Sequence, residues 1–189
     1  GVNPIAAMGH AGLQSMLAGA VPVDARLGVE GTPQSATGQA TILTGVNAAQ
    51  HAGRHVEGFP GKSLRTFVEE YNIFKRLERH SKNATFANAY YCRNVEEVRG
   101  FALKSVTTVA ALAGLGEVRC RDKLDAGRAV YQDLTRAALK SRGYPGPFVS
   151  PEESARDLMN IAADYDLTLF EYFQTDRVGH KQDLRRIDD

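Results

Sequence analysis

The chain has 189 residues, 43% of them hydrophobic and 24% charged, and a formal net charge of +1. That length suits one ordinary domain with room for an insertion, and the composition is that of a globular chain. Near-balanced charge excludes the strongly basic surface that nucleic acid or an anionic membrane asks for, and no apolar run reaches the length of a membrane helix.

The chain starts without Met and without a charged-then-apolar leader, so it is expected to be a processed or excised piece with no secretory signal. Pro4 to Leu17 reads as a short helix carrying Ile5, Met8, Leu13 and Leu17. "AVPVDARLGV" reads as a short strand or extended segment. Next comes "TPQSATGQATILTG", Thr32 to Gly45, a Pro- and hydroxyl-rich loop running into an apolar helix that ends in Gly. Leu64, Phe67, Val68, Tyr71, Phe74 and Leu77 recur at helical spacing, with Ser63 as a candidate cap. "ATFANAYY" alternates and is aromatic, which predicts a strand. From Asn94 to about Arg142 helical patterns dominate, and "GYPGPFVS" leads back to regular structure. Ser150, Pro151 and Glu153 spell an N-cap, an N1 proline and a capping box. "DLTLFEYFQT" then reads as a strand buried on both faces, as in a parallel sheet.

Two cysteines, Cys92 and Cys120, lie too far apart for a local zinc knuckle and suit free thiols in a reducing cytoplasm. Asp176 and His180 stand four apart in "TDRVGH". If that segment is helical they share a face, and a carboxylate with an imidazole there suits a divalent cation. An Asp cap followed by a surface His fits the same spacing. Ser35 stands at the expected start of a helix, where free N–H groups favour an anion. An ordinary capping serine reads the same way. Gly38 in the first turn costs about 1 kcal/mol relative to Ala, which suits a close approach. His51, Arg54, His55 and Glu57 either contact phosphate or form a solvated loop. Arg128, Tyr131, Gln132, Asp133 and Arg136 make a mixed polar face on an expected helix. Glu171 falls inside the apolar strand, where a carboxylate needs a partner.

Three stretches together resemble the alkaline phosphatase superfamily, in its branch of cofactor-independent phosphoglycerate mutase and phosphopentomutase. "SATGQ" is similar to the nucleophile loop of those mutases, with Ser three residues before Gly. "TDRVGH" is similar to their D-x-V-G-H, and "AGRAVYQDLTR" to a run that in them closely follows the nucleophile loop. The resemblance implies an α/β fold, with a mostly parallel sheet flanked by helices. Residues 1–93 and 150–189 would form a metallophosphoryl-transferase core, and residues 94–149 a small helical cap insertion. It implies Ser35 as phosphoryl-accepting nucleophile and metal ligand, with Thr37 as fallback, and Asp176 and His180 as ligands of one of two divalent ions (manganese, magnesium or zinc). Gln39, which stands where the mutases usually have His, joins Arg54, His55 and Arg128 as candidate contacts to a small phosphorylated substrate. The family's early D-G and late D-H-G have no counterpart, so the chain is expected to be an internal piece of a longer enzyme. A sulfatase or phosphodiesterase of the same superfamily, a catalytically incomplete piece, and a binding or structural module stay open as alternatives.

Overall fold

Helix α7 (Val106–Gly114) shows how the chain folds, because it is apolar on nearly every side. Its residues Val106, Thr107, Thr108, Val109, Ala110 and Ala111 are all buried. Such a helix has to be surrounded, and α2 (Ser35–Thr44), α4 (Lys62–Glu70) and α5 (Ile73–Arg79) pack around it. Helix α4 gives it Leu64 and Val68, and α5 gives it Phe74. Gly114 ends α7 against the start of α5. A β-carbon there would stand 2.5 Å from Asn72 Oδ1 and 2.6 Å from Phe74 Cβ, so only glycine permits the approach.

The computed structural model describes residues 11–181, which divide into two compact units. One is Ala25–Glu171; the other holds the described residues on either side of it, 11–24 and 172–181. Within the described part of the latter lie α1 (Ala11–Ala18) and α11 (Gln174–Lys181). The expected helix from Pro4 begins outside the described residues.

The expected α/β fold with a mostly parallel, alkaline-phosphatase-like sheet is corrected. The chain is helix-rich, and the described sheet holds two parallel strands of three residues each, β1 (Ala84–Phe86) and β2 (Leu167–Leu169). Their register pairs Thr85 with Thr168. Beyond β1 the pairing is reduced to single bridges, Asn88 with Val130 and Ala89 with Arg119. The physical reason lies in where the apolar runs go. The longest is spent on α7, β2 is half-buried along its whole length rather than enclosed on both faces, and Val21 and Val23 are over 80% exposed in a segment with no strand pairing among the described residues. The segment 94–149, expected as a cap, belongs to the same unit as α2 to β1 and supplies the central helix α7.

Helix α2 ends at Gly45, which takes a left-handed conformation with φ of 72°. Helix α10 (Pro151–Ala162) starts with the full capping box of Ser150 and Glu153. The helix expected through residues 64–77 breaks in two, because buried Asn72 competes with the helical backbone. Its Nδ2 donates to Val68 O at 2.9 Å, and its Oδ1 accepts from Lys75 N at 3.1 Å, ending α4 and capping α5. Helix α3 (Ala48–Ala52) is capped by Asn47, and α6 (Val95–Arg99) by Asn94. Helix α8 (Arg121–Asp125) and α9 (Ala137–Lys140) are short. Residues 128–136 between them, expected as helix, form a bridge at Val130 and a turn. There Asp133 accepts from the backbone amides of Thr135, Arg136 and Ala138 and holds the chain out of a helix.

Candidate functional site

A polar cluster lies just past the carboxyl ends of β1 and β2. Parallel strands present binding groups at that end, where backbone and loops diverge. Asn88, beyond β1, clamps the backbone of Glu171, beyond β2. Its Nδ2 donates to Glu171 O and its Oδ1 accepts from Glu171 N, each at 2.8 Å. The Glu171 carboxylate then accepts at Oε1 from Thr107 of α7 at 2.7 Å and from Gln39 of α2 at 2.9 Å. Its Oε2 is buried and meets no hydrogen-bond partner among the described residues. Burial pushes the carboxyl up from its ordinary value of 4.5, against the opposing bonds from Thr107 and Gln39. A perturbed acid with one open oxygen, at the end of paired strands, is where chemistry or a ligand is sought first.

Gln39 lies one helical turn beyond Ser35, so the two share a face of α2. Ser35 is the first helical residue; the cap position belongs to Gln34, one residue earlier than expected for a capping serine. Its half-buried Oγ accepts from Gly58 N at 3.0 Å. The amides of Ala36 and Thr37 both turn to Val56 O, at 3.0 and 3.4 Å, so they are not free for an anion. Thr37 is 1% exposed, and its hydroxyl donates to Gln34 O and accepts from Val56 N, each at 3.3 Å. That hydroxyl has no open face toward a substrate.

Asp176 and His180 lie on α11, in the unit formed by the chain ends, while Ser35, Gln39 and Glu171 lie in Ala25–Glu171. The segment is helical, as sharing a face requires, and Asp176 sits in its first turn, where the helix dipole favours a carboxylate. The His180 side chain lies outside the described residues. Among the described residues no three His, Cys, Asp or Glu side chains group as metal ligands would.

The remaining candidates are dispersed. Arg54 is exposed just past α3. His55 Nε2 sits 3.2 Å from Val29 O, and His51 stacks on Phe67. Arg128 pairs with Asp164 at 2.8 Å. Asp133 and Arg136 are buried and structural; Arg136 donates to Leu124 O and the Tyr144 hydroxyl. Asn88 and Thr107 escaped the reading of the sequence. A signal existed for Asn88, an amide inside an aromatic strand, but none for a threonine in an apolar helix.

No family model, curated protein or solved structure matches the chain. Among the described residues no helix is long and apolar enough to cross a membrane.

Proposed function

We propose that the chain carries the nucleophile end of a phosphoryl-transfer or phosphate-ester hydrolysis site, with Ser35 as acceptor. The observation that carries this reading is the placement of the Ser35 turn. Its hydroxyl is half-buried and held by the Gly58 amide, and one turn later Gln39 is fastened to Glu171 at the strand ends. Glu171 acts as a positioning residue, fixing the α2 face on which Ser35 stands. In the reaction, Ser35 Oγ forms a bond to phosphorus as the ester P–O bond breaks. The leaving alcohol carries away a proton, and water or a second hydroxyl then takes the phosphoryl group. The likeness to the metal-dependent mutases adds two divalent ions. Asp176 and His180 are the pair whose donor chemistry and helical spacing suit one of them. A divalent ion in such chemistry lowers the pKa of the attacking hydroxyl and neutralises phosphoryl oxygens. Two free, buried thiols, Cys92 and Cys120, suit a reducing cytoplasm.

The test is turnover of p-nitrophenyl phosphate with added manganese, alongside Ser35→Ala and mass spectrometry of the serine peptide. Manganese-dependent release that disappears in Ser35→Ala, with phosphate found on Ser35, is the expected result. The occupied amides of Ala36 and Thr37 favour a second reading, a module that binds without turnover. Absence of any Ser35-dependent release would select it.

A further inference from the structure

A separate cleft of about 400 Å³ opens between α4, the start of α5, the end of α7 and the loop after α6. That volume is of the size that holds small ligands. Its charged lining is one-sided. Arg65, Lys75, Arg99 and Lys104 line it, with Glu69 as the only acid among the described lining residues, while Leu112 forms part of an apolar wall. Three of the four cations, Arg65, Lys75 and Lys104, are half-buried. Arg99 is paired with Glu96 at 3.3 Å and braced on Gly116 O at 2.6 Å, and Lys104 is braced on Phe101 O at 2.5 Å. Arg65 and Lys75 are different. No carboxylate lies within salt-bridge distance of either among the described residues, and Arg65 Nε is buried with no hydrogen-bond partner. A guanidinium donor removed from water and left unpaired costs stability unless something arrives to accept from it.

We infer that this cleft binds a phosphate dianion, either free or as the ester of a small hydroxylated molecule. Phosphate offers oxygens for a guanidinium fork and point charges for two ammonium groups, a match that a single carboxylate does not provide. Glu69 is the acceptor available for a hydroxyl of the ester. The cleft's cations are few and local, which favours a small anion over an extended polyanion, and the chain's net charge of +1 leaves no general basic surface for the latter. The inference stands apart from the role proposed for Ser35, which lines no part of this cleft.

Isothermal titration of the full chain with inorganic phosphate, and separately with glucose 6-phosphate, tests it. Saturable binding is expected, tighter for the ester if Glu69 takes a hydroxyl and equal if free phosphate is the ligand. Arg65→Gln and Lys75→Gln should each weaken it roughly tenfold. Lys123→Gln, which removes an exposed charge elsewhere, and Ser35→Ala should leave it unchanged. Circular dichroism confirms folding of each variant, and Lys104→Gln substitutes if Arg65→Gln does not fold. No saturable heat with either probe overturns the inference. So does an equal loss in Lys123→Gln, and a loss in Ser35→Ala alone would move phosphate binding to the Ser35 site.

Discussion

Arg119 and Glu171 are both ionisable side chains drawn toward the interior beside β1, and neither has an opposite charge within salt-bridge distance among the described residues. The chain treats them differently. Arg119, 6% exposed, gives every guanidinium nitrogen a neutral acceptor. Its Nε and Nη2 donate to Thr85 Oγ1 at 3.3 and 2.8 Å, Nη2 also to the Tyr165 hydroxyl at 3.2 Å, and Nη1 to Arg128 O at 2.5 Å. The Tyr165 ring lies 5.6 Å from its centre, close enough for a cation–π contact. Glu171 leaves Oε2 without a hydrogen-bond partner among the described residues. A buried charge whose atoms are all satisfied ties elements together, while one with an open atom is held ready for something else. Arg119 joins β1, the loop at Arg128 and the end of α10; Glu171 joins β2, α2 and α7 but keeps half its carboxylate in reserve.

The largest effect should come from breaking the satisfied member. Arg119→Ala leaves the Arg128 carbonyl and the Thr85 and Tyr165 hydroxyls without their donor and removes the packed stem. A loss of about 3 kcal/mol in urea unfolding is expected. A loss below about 1 kcal/mol would mean that the network is not structural and the contrast with Glu171 fails. Asn88→Ala attacks the other side. It removes both bonds that hold the Glu171 backbone, and about 2 kcal/mol should be lost. Because Asn88 also fixes where the carboxylate points, Ser35-dependent turnover should fall with it. Stability lost with turnover intact would detach Glu171 from the Ser35 site.

Features confined to a few neighbouring residues were legible in the sequence. The capping box of Ser150 needs only three residues, and Gly45 ends α2 by its own conformational freedom. What the sequence concealed depends on partners far along the chain. "KLDAGRAVYQDLTR" reads as helix until Val130 finds Asn88 and Asp133 gathers three amides. "DLTLF" reads as a strand inside a large sheet because its apolar run is the same whether one neighbour pairs with it or several. Here only β1 does. Glu171 was conspicuous as a carboxylate in that run, yet its partners come from α2, α7 and the end of β1, which no spacing connects. The cations of the phosphate cleft sit on elements that each look like an ordinary solvated face.

The smallest effect, and the most diagnostic, belongs to Glu171→Gln. The variant keeps an acceptor for Thr107 and Gln39 and gains an amide where Oε2 was open, so its stability at neutral pH should stay within about 1 kcal/mol of the wild type. Its pH dependence should change. Burial raises the Glu171 carboxyl in the folded protein above its ordinary value of 4.5. Between that value and the raised one the folded chain binds more protons at this group than the unfolded chain does, so stability falls as pH rises through the window. The contribution is fully present below 4.5 and lost above the folded value. Urea midpoints measured across that range should therefore slope downward with pH in the wild type and lie flatter in Glu171→Gln. In Arg119→Ala the wild-type slope should persist on a lower baseline, because a guanidinium does not titrate there. Parallel slopes in wild type and Glu171→Gln would show that the carboxylate is solvated in solution, and the open oxygen would then carry no functional meaning.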